Sequence, residues 1–418
     1  MTASLCFLVP VSVLAGEYVA IGPVTLFRVV VAGLVVIAAW LWRREFWRQA
    51  WFGERILCGV LAIWLIVGVC SGLAAGGARW SDMVNLVIGF ALAWSLGRLT
   101  TFGSITALTR GWQLSILVSL PIAIWERLTA RHLPGYIRGV WRHHANTYFD
   151  PATFFVNPNY YALFLVVACP LLTLQAVRDR GWRRILDLVV LAVDLGLLAI
   201  SDSRACQAGL VLMVIGALLV TRAGRFAVIL ACLAVVCMLA GPCQGRITAL
   251  WSQWHAVSVG HEDLGTASVP VRMALFAFGL TIVTEHPWLG AGPGGFTPLA
   301  AAQRQFWLHH KVDPHNGLLQ VATEYGIPMA ALLVMLWLWA GWRGWRLRSQ
   351  DRARAAALLA LVVASPALSL ANSQFIGPNV VSLWMAAVLV LIAAPATVSG
   401  EAGVVCSSED IREQGDCR

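Results

Sequence analysis

Charge is scarce in this sequence. Of its 418 residues, 12% are Asp, Glu, Lys or Arg and 59% are hydrophobic, whereas a soluble domain carries about 25% charged residues. That shortage excludes an ordinary water-soluble globule. A disulfide framework is missing too, although ten cysteines are present. Cys58, Cys70, Cys169, Cys232 and Cys237 lie inside apolar runs, where a thiol behaves as a small hydrophobe. Cys243 has no obvious partner, and Cys406 and Cys417 fall in a C-terminal stretch expected to be cytoplasmic and reducing. No Pro/Gly/Ser linker, low-complexity tract or clear internal repeat divides the chain. No basic n-region precedes the first apolar run, so Met1–Leu14 reads as a membrane helix and not as a signal peptide. The glycines of Gly290–Gly295 are followed by no Gly-Lys-Ser/Thr and preceded by no strand, which argues against a phosphate loop. Asp194 is the clearest acid inside an apolar run. A proton-driven transporter usually needs a relay of such groups.

What is present is a succession of apolar runs, about twelve of a length suited to the ~30 Å hydrocarbon layer. They cover 4–22, 24–42, 56–74, 82–97, 108–125, 158–177, 185–200, 205–221, 226–240, 327–342, 355–371 and 379–396. The fold class is therefore all-α, a polytopic membrane protein. With the N-terminus inside, the inner loops collect Arg43, Arg44, Arg48, Arg55, Arg98, Arg110, Arg178, Arg180, Arg183, Arg184, Arg222, Arg225, Arg343, Arg346, Arg348, Arg352 and Arg354, and the short outer loops only Arg79 and Arg204. This positive-inside bias places both termini in the cytoplasm. It also accounts for most of the net charge of +9, so the charge is not read as nucleic-acid binding. Many of the 20 tryptophans cluster near helix ends, as interfacial anchors do.

Residues 1–396 read as a single transmembrane domain with two long outer segments, 126–157 and 241–326, forming the active face. Residues 397–418 are polar and read as a disordered cytoplasmic tail. The first outer segment is basic and aromatic, with Arg127, Arg131, Arg138 and Arg142. The second is expected to hold a short amphipathic or re-entrant helix from about Val269 to Thr284, then a Gly/Pro turn. All nine histidines fall in these stretches: His132, His143 and His144 in the first, and His255, His261, His286, His309, His310 and His315 in the second.

Three constellations stand out. In Asp313-Pro314-His315-Asn316, Pro314 is placed to start a helix on which Asn316, Gln320 and Glu324 share one face. It can be a capping device where the chain re-enters the membrane, or it can present His315 as a general base for a hydroxyl. In Ser201-Asp202-Ser203-Arg204, a tight outer turn holds an arginine against the orientation bias. That arginine either snorkels or offers its planar fork to phosphate oxygens. Arg272 heads an apolar helix. The spacing of His309, His310, Asp313 and His315 fits no structural zinc pattern, so no metal or other cofactor is expected.

Taken in order, Asn157-Pro158-Asn159, the Ser201–Arg204 turn, Arg272, Pro287-Trp288-Leu289-Gly290-Ala291-Gly292-Pro293, His315-Asn316 and Glu324-Tyr325-Gly326 resemble the O-antigen ligase and Wzy-type polymerase family of bacterial envelope glycosyltransferases. Phe276 stands where such proteins often carry Trp. The resemblance implies a GT-C-like helical fold in the cell inner membrane and a metal-independent, inverting transfer. The donor would be a glycan on undecaprenyl pyrophosphate, and the acceptor a hydroxyl of lipid A-core or of another glycan. It implies that Arg204 and Arg272 hold the donor pyrophosphate and that His315 is catalytic. Asn316, Glu324, Arg138 and Arg142 would support them. Ligase and polymerase differ in acceptor alone. An envelope lipid transporter or flippase, the reading from another class, would show inverted repeats and mid-membrane charges, and neither is clear here.

Overall fold

The computed structural model describes residues 2–16, 18–22, 24–45, 52–76, 80–99, 102–133, 149–155, 157–201, 203–222, 224–225, 268–302, 313–371, 375–376 and 379–393. These residues are almost wholly helical. In chain order the helices are α1 (Thr2–Ala15), α2 (Leu26–Glu45), α3 (Phe52–Ala74), α4 (Trp80–Arg98), α5 (Phe102–Thr129), α6 (Pro158–Arg178), α7 (Trp182–Ile200) and α8 (Arg204–Leu218). They continue with α9 (Ser268–Glu285), α10 (Phe296–Ala302), α11 (Gly317–Tyr325), α12 (Ile327–Leu347), α13 (Arg352–Ala371) and α14 (Asn379–Ala393). Five of them carry stretches long and apolar enough to cross a bilayer: Ile56–Ala74, Ile105–Thr129, Pro158–Arg178, Ile327–Leu347 and Arg352–Ala371. The chain is an all-α polytopic membrane protein. In lipid every backbone amide must be satisfied within the chain, and helices do this segment by segment.

Most expected spans fall on a helix. The first does not run as far as expected. It ends at Ala15, with Gly16 in a left-handed turn (φ 53°), and a two-residue hairpin pairs Ala20–Ile21 with Val24–Thr25 before α2 begins. The tail 397–418, the apolar run 226–240 and the outer stretch up to residue 267 lie outside the described residues.

The core is organised around α6. Of its apolar stretch 83% is buried, against 28% for α3 and α12, so α6 is central and the other two face lipid. Ala and Gly let neighbouring backbones approach, the usual device where lipid competes with protein for apolar surface. At Gly216 of α8 a methyl group would overlap the Leu359 carbonyl oxygen of α13, and at Gly209 it would reach the Leu368 side chain. These two pairings run in opposite order, so α8 and α13 are antiparallel. The first residue of α8 therefore sits beside the last turn of α13.

The opposite end of the bundle is tied by ionic groups. Arg110 of α5 pairs with Asp179 after α6 and with the fully buried Asp187 of α7, the latter at 2.5 Å; Gln113 also donates to Asp187, at 2.6 Å. Arg178 reaches Asp351 at 2.7 Å, next to buried Arg354. Asp194 is buried between α6 and α7 and accepts a hydrogen bond from the Cys169 thiol at 3.0 Å.

Candidate functional site

The motifs scattered along the chain meet at the end of the bundle away from Arg110. Asn157 caps α6, its side chain accepting from the Asn159 amide at 2.8 Å, and Pro158 supplies a first-turn residue with no amide to satisfy. The Asn159 side chain in turn accepts from the Ser203 hydroxyl at 2.8 Å. Ser203 immediately precedes α8, so this bond holds the starts of α6 and α8 side by side. Arg204 is the first residue of α8 and is exposed. Two helix N-termini and a guanidinium thus share one neighbourhood, which favours anions.

Arg272 lies in the first half of α9 and is half-buried. One of its Nη atoms donates to the Leu370 carbonyl at 3.4 Å. That carbonyl is among the last four of α13, which have no partner within their own helix. Arg272 therefore caps α13 electrostatically with one of its five N–H donors. Leu368 packs on Gly209 and Leu370 binds Arg272. Arg204 and Arg272 consequently gather at one end of α13 from two different helices.

His315 approaches the same end from a third direction. Here an expectation is corrected: Pro314 does not start a helix. Asn316 is the cap, its side chain accepting from the Leu319 amide at 3.1 Å, and α11 begins at Gly317. Asn316 thus stands outside the face that Gln320 and Glu324 share. His315 precedes the helix in a left-handed conformation, φ 47°, and is half-buried. Such backbone is uncommon outside glycine, though His tolerates it better than bulky or β-branched residues. Residues held this way concentrate at functional sites. Asp313 is held from α10 by the Thr297 hydroxyl at 3.3 Å. Gly317 packs against the ring of Phe375, and the Phe375 amide donates to the Gln320 side chain at 2.5 Å. Phe375 lies just beyond the end of α13, so the segment bearing His315 is pinned beside it.

Gln320 also donates to the Glu324 carboxylate at 3.3 Å, and both side chains are buried. Glu324 faces the interior; its role visible in the geometry is to fix α11. Its carbonyl accepts from Ser71 of α3 at 3.0 Å, while Tyr325 stacks edge-on against Trp64 with ring centroids 5.7 Å apart. The Gly/Pro turn after α9 clasps this same corner. The Ala291 amide donates to the Thr323 carbonyl at 2.7 Å and the Ile327 amide to the Pro287 carbonyl at 2.8 Å. Gly290 (φ 70°) and Gly326 (φ 86°) face each other's backbones so closely that a methyl group on either would overlap the opposite chain. The turn thus works by gripping the Glu324-Tyr325-Gly326 corner.

Two features escaped the sequence reading. Glu126, fully buried at the end of α5, accepts from the amides of Ala152 and Thr153 at 2.8 and 2.7 Å and pairs with His132 at 3.3 Å. It anchors the end of the first outer segment to the end of α5. Arg28 donates to Asn85 at 3.1 Å; nothing in spacing alone joins residues on two separate helices. Arg138 and Arg142, His143 and His144, His255 and His261, and His309 and His310 lie outside the described residues.

No curated protein matches the chain. A family model does match, over residues 188–334, and its description is Wzy_C, O-antigen ligase. The stretch contains Ser201–Arg204, Arg272, the Pro287–Pro293 turn, His315-Asn316 and Glu324–Gly326, and does not reach Asn157–Asn159. The resemblance read from the ordered motifs is therefore borne out: over the part of the chain that brings Arg204, Arg272 and His315 together, this membrane protein is similar to the O-antigen ligase family.

Proposed function

We propose that the protein is a glycosyltransferase of the O-antigen ligase type. It moves a glycan from undecaprenyl pyrophosphate to a hydroxyl of lipid A-core at the periplasmic face of the inner membrane, with both termini cytoplasmic. The observation that carries this reading is the convergence at one end of α13 of two arginines from separate helices and a histidine from a third element, all within the family-matched stretch.

The chemistry follows from the residue types. Breaking the bond between the sugar and pyrophosphate leaves a polyanion, and its developing charge must be offset as the bond lengthens. Arg204 and Arg272 do so with planar donors matched to phosphate oxygens, aided by the α8 N-terminus. His315 accepts the proton of the attacking hydroxyl. Attack opposite the leaving group inverts the anomeric centre, and no metal is required when arginines carry the charge. Asn316 and Glu324 act indirectly: the first caps α11 and the second keeps it seated. Arg138 and Arg142 would add positive charge from the first outer segment.

A strain lacking the gene tests the reading on a lipopolysaccharide gel. Ligase loss leaves lipid A-core bare while lipid-linked polymer accumulates. A single repeat on the core would assign the protein to polymerisation by the same chemistry. An unchanged ladder would refute both.

A further inference from the structure

An apolar cavity of about 120 Å³ lies between α3, α4, α12 and α14. Val381 and Ile392 of α14 both line it, a separation of about 16 Å at 1.5 Å rise per residue. It is therefore a slot lengthwise to the bundle and not a surface dimple. One end belongs to the site face. Phe375, which lines the slot there, packs on Gly317 and binds Gln320, so slot and His315 segment share a wall. The same end carries a cation. Asn85 lines the slot near the start of α4 and accepts from Arg28, which sits half-buried in the first turn of α2.

An apolar slot whose lining residue Asn85 is bonded to a guanidinium complements an amphiphile with an anionic head. Arg204 and Arg272 stand elsewhere, at the junction of α8, α9 and α13, and the His315 segment lies between that junction and the slot. We propose that the slot holds one hydrocarbon chain of the lipid that anchors the acceptor, with its anionic head at Arg28. This rests on the glycosyltransferase reading above. It divides the site into a donor side and an acceptor side, with His315 where they meet.

Two measurements test it. In the first, purified protein in phosphatidylcholine nanodiscs is irradiated with phosphatidylglycerol or phosphatidylcholine bearing a diazirine in the acyl chain, and labelled peptides are mapped. Labelling of α4 and α14 by the anionic probe, weakened in Arg28→Gln, lost in Ala340→Trp (which fills the slot) and displaced by added lipid A-core, is expected. No labelling, or equal labelling by both probes, would overturn the anionic-lipid assignment. Labelling that lipid A-core does not displace would mean a bulk phospholipid site and overturn the acceptor assignment. In the second, transfer is compared between an acceptor glycan on a phosphorylated acyl lipid and the same glycan without the tail. Ala340→Trp should lower the ratio of tailed to tail-less transfer by about tenfold or more, since each buried methylene contributes a large part of such a step. An unchanged ratio contradicts the slot. Wild-type protein that transfers to neither acceptor would refute the glycosyltransferase reading, and the labelling would still judge the slot.

Discussion

Arg204 and Arg272 do different local work, and this separates their expected phenotypes. Arg204 is exposed at the start of α8 and its guanidinium is not needed to build the helix. Arg204→Lys keeps the charge and loses the fork, so transfer should fall by up to ~10²–10³, the usual cost of one lost charge-stabilising contact, with thermal stability unchanged. Arg272 also caps α13 through Leu370. Arg272→Ala should lose comparable activity and in addition lower the melting temperature. Near-wild-type transfer by both variants would remove the pyrophosphate assignment. Asn316 offers a third contrast. Its side chain caps α11, so Asn316→Ala should cost about 1 kcal/mol and Asn316→Asp should recover it. A thermal melt of the two variants in detergent decides this, and no recovery by Asp would mean that Asn316 acts beyond the cap.

At the scale of elements, the clasp between the Gly290 turn and Gly326 is the mechanical centre of the site. Gly326 has φ 86° and ψ 168°, a region essentially restricted to glycine that costs a residue with a Cβ roughly 1–3 kcal/mol, and the added methyl also overlaps the Trp288 carbonyl. Gly326→Ala should therefore destabilise the protein by at least that amount, measured by thermal unfolding, and reduce transfer. A stable, fully active Gly326→Ala variant would show that the corner tolerates rearrangement. Much of this level was legible beforehand. Apolar runs located most helices, the Gly/Pro run marked the turn, and Ser201–Arg204 marked the break between α7 and α8. The start of α11 was misplaced because Pro314 and Asn316 are both helix-start signals. The side-chain bond from Asn316 to the Leu319 amide decides between them, and sequence alone does not rank the two. The Asn159–Ser203 and Arg28–Asn85 bonds were not legible at all. They join helices whose relative rotation depends on packing and not on local pattern.

For the whole molecule, the arginine asymmetry and the position of the site agree. The ionic ties of Arg110 and Arg178 lie at one end, and Arg204, Arg272 and His315 gather at the other. Under the proposed orientation, with the basic end in the cytoplasm, the site would face the periplasm. A cysteine placed at exposed Ala302, at the end of α10, in a cysteine-depleted background should react with a membrane-impermeant thiol reagent in intact spheroplasts. Labelling only after lysis would invert the molecule. The central claim is that His315 takes the acceptor proton at a site whose arginines hold the donor. An imidazole serving as base must be neutral to accept the proton. The most direct measurement is turnover of undecaprenyl-pyrophosphate-linked glycan onto lipid A-core by purified protein in liposomes, comparing wild type with His315→Gln. Glutamine keeps hydrogen-bonding capacity and lacks the base. The account predicts that the variant binds donor as wild type does and forms no product. A folded His315→Gln protein that transfers glycan at a near-normal rate would contradict it.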